Sequence, residues 1–173
     1  MGHNKIELES QLQTVKQAIE FLSNISVERY QHVLRPHFTG SSGAHMRHIL
    51  DHYIALKQGL ETKTIDYNYR DRESNVALCP KSAIAAWLEI KAWLIEVSSL
   101  DPIMHLKIVC ETSLTESKSS TTSSSLGREL LFASSHAIHH FSLLSVISSL
   151  LGDSCHSDFG MAPATASYLR QSA

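Results

Sequence analysis

From Leu126 to Leu151 the sequence reads LGRELLFASSHAIHHFSLLSVISSLL. At about 100° per residue, Leu126, Leu130, Ala133, Ala137, Leu144 and Leu151 fall within roughly 40° of one line. So straight an apolar stripe dictates a long helix with one buried face. On the same wheel His140 lies about 40° from the stripe centre, His136 about 80° on the same side, and His139 about 140° away, towards solvent. His136 and His140 are four residues apart, so one helix edge can aim two imidazoles at a single point.

Three further helices frame this one. Residues 5 to 24 carry Ile6, Leu8, Leu12, Val15, Ile19 and Leu22 at helical spacing. Ser26 is placed to cap a short piece, VERYQHVL, that stops before Pro36. The next helix starts at the pair Ser41-Ser42 and runs to about Leu60. Pro80 suits a helix first turn, and the segment from there to about Val97 is apolar, with Trp87 and Trp93 read as core or subunit-interface residues. Between Asp101 and Ser125 the pattern changes: Met104, Leu106, Ile108 and Cys110 alternate with Ile103, His105, Lys107, Val109 and Glu111. The following SKSSTTSSS fits a second, exposed strand, or a linker by composition alone. The expectation is one domain over 1–173, all-α, a four-helix bundle with a small β-hairpin insertion around 102–125. The tail, DFGMAPATASYLRQSA, reads as irregular with a short helical end. FGMAPAT within it is either a plain turn or a cover for a pocket mouth.

Composition narrows the function. A net charge of -2 gives no basic footprint, so nucleic acid is not an expected partner. No uninterrupted apolar run reaches the roughly 20 residues of a membrane span, and the first residues lack the basic-then-apolar order of a signal peptide. Cys79, Cys110 and Cys155 are scattered, which suits a reducing compartment and argues against a thiolate zinc site. The expectation is a soluble cytoplasmic protein. Histidine is the unusual residue, with 11 copies.

A second histidine cluster, His45, His48 and His52, lies on the helix after Ser41. The apolar stripe there is Ile49, Tyr53, Leu56 and Leu60. Helical phase puts His45 and His52 about 60 to 80° from its centre and His48 about 120° away. Phase alone favours His45 or His52 as inward, whereas the small Ala44 and Ala55 near His48 suit an open pocket. Neutral imidazole is the commonest ligand for zinc, nickel and iron. Three protein ligands with one coordination position left open make a catalytic type of site. The alternatives are hydrogen-bonded histidines at helix interfaces, or haem. HExxH is absent, as are Glu-x-x-His, GxGxxG, GxxxxGK[ST] and GxSxG, so zincin, di-iron, nucleotide-loop and nucleophile-elbow chemistries are not indicated.

The two motifs resemble the DinB-like superfamily, whose bacillithiol-transferase and mycothiol- or ergothioneine-linked relatives share a metal-binding four-helix bundle. The family pattern is a Ser or Thr helix start, a histidine seven residues on and often Asp three later, here Ser41, His48 and Asp51. It closes with HxxHH, here His136, His139 and His140. The resemblance implies His48, His136 and His140 as the ligands of a divalent metal; imidazole chemistry points to Zn, Ni or Fe, and His45, His52 and His139 are read as supporting or alternative ligands. It also implies a homodimer and a small-molecule substrate, thiols among the candidates. This chain reads HHFSLL where many members have HHRGQ, carries the extra His45 and His52, and has the strand-like insertion at 101–125. A relative's substrate therefore does not transfer.

Asp51 is read either as a base or orienting carboxylate beside the metal, or as an ordinary surface carboxylate. Arg70 and Arg72, in IDYNYRDRE, either contact an anionic or thiol substrate or belong to a solvated, self-paired loop. The leading function is a metal-dependent hydrolase or thiol S-transferase. The alternatives are a non-catalytic dimer that binds a metal or small ligand, and a structural dimer with interface histidines.

Overall fold

A computed structural model describes residues 6–68 and 74–172. Among these residues six α-helices are formed: α1 (Leu8–Asn24), α2 (Val27–Gln31), α3 (Ser42–Gly59), α4 (Pro80–Val97), α5 (Leu126–Leu150) and α6 (Pro163–Gln171). The capping chemistry sets their starts. Ser41 Oγ accepts from Ala44 N at 3.2 Å, Ser26 Oγ from Arg29 N at 3.2 Å, and Ser125 Oγ from Arg128 N at 3.4 Å. Pro80 occupies the first turn of α4, where its missing N–H costs nothing.

The four long helices share one core. α1 packs on α4 and α5, and α3 packs on the same two. Val15, Ala18 and Leu22 meet Met46, Ile49, Leu50, Tyr53 and Leu56 there, with Trp87, Ile90 and Leu94 from α4 and Leu130, Ala133, Ala137, Phe141 and Leu144 from α5. Both tryptophans are core residues, and Trp87 Nε1 points at Met46 Sδ, 3.2 Å away. Gly43 sets how closely α3 approaches its neighbours. A β-carbon there would strike the Ala77 carbonyl and lie 2.9 Å from the Tyr30 ring.

The all-α four-helix expectation is corrected by a three-stranded mixed sheet, β1 (Thr64–Asp66), β2 (His105–Glu111) and β3 (Ser119–Ser125), in that order. β2 and β3 form an antiparallel pair within the stretch read as a hairpin. β1, from the segment read as a polar loop, joins them in parallel, with Ile65 opposite Ile108. The hairpin is therefore no appendage. Ile65, Leu106 and Ile108 turn their side chains into the core, and Tyr67 N–H extends the pairing to the Val109 carbonyl at 3.0 Å. Three residues are too few to show a strand period, so long-range pairing alone makes Thr64–Asp66 a strand.

α5 also qualifies the membrane expectation. Among the described residues it is the one helix long and apolar enough, by length and composition, to cross a membrane. Its serines interrupt any continuous apolar run without making it strongly polar. The FGMAPAT segment does not cover the histidines. Phe159 stacks between Phe21 and Phe141, at centroid distances of 5.0 and 5.1 Å, and Gly160 N–H donates to Gln17 Oε1 at 2.9 Å.

Candidate metal centre

α3 and α5 lie side by side, and their histidines meet between them. One ring nitrogen each from His48, His136 and His140 lies within 4.8 Å of the other two. His48 Nε2 and His136 Nε2 are 3.0 Å apart. Imidazoles bound to one tetrahedral zinc, at about 2.0–2.1 Å each, hold their nitrogens roughly 3.3 Å apart. The 3.0 Å separation is near that value and none exceeds 4.8 Å, so these three residues lie close enough to hold a metal ion. The donor set is all imidazole, which suits zinc, nickel or iron.

Electrostatics keep part of the set in the ligating form. His140 is 9% exposed, and its pKa falls from the ordinary 6.5 to about 3. Burial is the main cause, followed by the neighbouring His136, His45, His139 and His52. Burial, then His139, also lowers His45. Neutral imidazole is the species that offers a lone pair to a metal.

The remaining histidines divide. His45 Nδ1 is 2.9 Å from His140 Nδ1, so it reaches the triad through one of its members. His52 is buried and faces its Nδ1 to the His48 carbonyl at 2.9 Å; donation along that line leaves its proton on Nδ1. Its ring also lies 4.4 Å from that of His136. His139 is exposed, with its ring 5.3 Å from His140. Asp51 is buried rather than on the surface, with Oδ2 3.8 Å from Arg47 Nε. Arg70 and Arg72 lie outside the described residues.

Two aromatic walls escaped the sequence reading. Tyr67 stacks on His52 at 5.3 Å and Phe132 on His136 at 5.7 Å. Phe132 stands one turn before His136 on α5, a spacing that signals such a contact. Tyr67 reaches His52 only because β1 places it there. On its open side the centre meets a cleft of about 380 Å³, bounded by residues 37–40 and by Ala44, His45, His48 and His140.

No protein-family model matches this chain. Over 107 residues it is 30% identical to FK506-binding protein 5 of Rhizopus delemar, an alignment that covers 62% of this chain and 28% of that protein. The chain thus spans little more than a quarter of the relative's length.

Proposed function

We propose that this protein binds a divalent metal through His48, His136 and His140 and is a metal-dependent enzyme of the DinB-like kind, a hydrolase or thiol S-transferase. The observation that carries the reading is the convergence of three imidazole nitrogens within 4.8 Å beside an open cleft. A divalent ion there supplies Lewis acidity, which makes a thiol or a water molecule a stronger nucleophile at neutral pH.

The chain's own residues have distinct parts. His48 enters from α3, and His136 and His140 enter from successive turns of α5, so ion binding ties the two helices together. His52 supports the ring of His136, and its hydrogen bond to the His48 carbonyl fixes its own tautomer. Asp51 is the proton acceptor or orienting carboxylate, held on the same helix face as Arg47. Arg70 and Arg72 are the expected contacts for a substrate. Leu88 and Ile95, two turns apart on α4 and about half exposed, support a homodimer.

Metal analysis of the native protein tests the reading. The expected result is one metal ion per chain, lost in His136→Ala. Absence of stoichiometric metal, or unchanged metal content in that variant, overturns it. Full occupancy without turnover on panels of thiols and esters would favour a non-catalytic binding protein.

A further inference from the structure

We infer that the outer edge of β3 is a pairing surface for a second copy of this chain, which lays its own β3 alongside, antiparallel, about a two-fold axis at Thr121. The inference is independent of the metal reading.

The backbone of β3 shows which groups face outward. Thr112 N–H donates to the Lys118 carbonyl at 2.8 Å, and Leu126 N–H donates to the Met104 carbonyl at 3.0 Å. Between these two bonds the register of β2 on β3 runs unbroken from Ser119 to Ser125. Even-numbered residues of β3 therefore turn their N–H and C=O groups to β2, and Ser119, Thr121 and Ser123 turn theirs away. All three residues are exposed. Among the described residues no group bonds to those outward N–H and C=O groups.

An edge that must stay single is commonly blunted by lysine, proline or a bulge. β3 is seven serines and threonines in continuous register and carries none of the three. The edge also fits itself. With Thr121 opposite Thr121, Ser119 of each copy faces Ser123 of the other, and each facing pair exchanges both its N–H···O bonds. Lys118, which precedes the strand, falls opposite Ser124 and not opposite its own copy. Hydroxyl thus meets hydroxyl along the strand, a favourable cross-strand pairing, and no like charges are opposed. The contact uses the same patch on both copies, so it closes at two. It leaves α4 unused, and with it Leu88 and Ile95.

Sedimentation of the full chain over a dilution series tests the edge, with Ile95→Glu as the starting variant so that the α4 face cannot sustain a dimer. That variant is expected to dimerise still. Adding Thr121→Pro should weaken the dimer at least about tenfold, because an outward N–H is lost from each strand. Proline fits there without breaking the hairpin, since the Thr121 N–H does not serve β2. Thr121→Lys should do the same with no change to the backbone, by setting two lysines face to face; it decides the matter if the proline variant fails to fold. In amide exchange, Thr121 and Ser123 N–H should become protected as concentration rises, while Ser120 and Thr122 stay equally protected throughout. An Ile95→Glu chain that is monomeric at every concentration overturns the inference, as does a folded lysine variant that dimerises unchanged. So does a dimer in which the Thr121 and Ser123 amides exchange as fast as in the monomer.

Discussion

α5 carries two buried polar clusters, centred on Glu129 and His140, about three turns apart. Around Glu129 the chemistry is closed. Its carboxylate accepts from Tyr67 OH at 2.7 Å, from Ser124 Oγ, and from Arg128 Nη1 at 3.4 Å. Those donors come from the end of β1, from β3 and from α5, so the cluster fastens the sheet to the helices. Around His140 like meets like. Imidazole nitrogens face one another across 2.9 and 3.0 Å, and each such pair of neutral rings can share only one proton. The first cluster already has the groups that satisfy it. The second brings three imidazole nitrogens within 4.8 Å of one another, close enough to hold a metal ion. Burial of polar groups is thus common to both, and donor–acceptor balance separates a fastening from a candidate binding site.

Breaking the fastening should have the largest effect on folding. Glu129→Ala leaves the Tyr67 and Ser124 hydroxyls without their acceptor and is expected to cost about 3 kcal/mol in urea unfolding. Metal content should stay the same; a parallel loss of metal would show that the two clusters are not separable. Filling the binding site should have a nearly equal effect in the opposite direction. Zinc at about 100 times its dissociation constant should add about 2.7 kcal/mol to wild-type stability, and nothing to His136→Ala. Tyr67→Phe is a gentler cut. It keeps the ring on His52 and removes one donor from Glu129, so a loss of about 1 kcal/mol is expected, with metal affinity retained.

A further test is a pH slope in the metal-free protein. The unfolded chain protonates His140 near pH 6.5, and the folded chain only near pH 3. Between those values the unfolded state binds the extra proton, so stability falls as the pH is lowered through the window and this contribution is flat above it. Unfolding midpoints of wild type and His140→Gln, compared from pH 7 to 4, should converge towards the acid end. A constant gap would remove His140 as the source.

The sequence and the fold can be compared residue by residue. α4 is legible to its ends because Pro80 marks the start and the apolar period runs to Val97. The helix wheel of α5 separated buried His140, half-buried His136 and exposed His139 in the right order, because one long straight stripe fixes its phase. On α3 the wheel was less useful. It favoured His45 and His52, and His52 is indeed buried, yet His48 joins the triad and His45 reaches it through His140. The inward face of α3 is shared between the core and α5, so a single stripe centre does not describe it. The four-helix reading failed at Thr64–Asp66, where local pattern was silent and pairing with β2 made a mixed sheet.

By itself, then, the sequence determined where the long helices run, the caps that start them and the two histidine clusters. Those depend on local periodicity and side-chain chemistry, which adjacent residues carry. The motif resemblance names His48, His136 and His140, and the fold brings one ring nitrogen of each within 4.8 Å of the others; the tertiary structure alone decided that Asp51 and Glu129 are buried, and that β1 brings Tyr67 onto His52. These are contacts between residues far apart in the chain, set by how helices and strands pack after their local form is fixed.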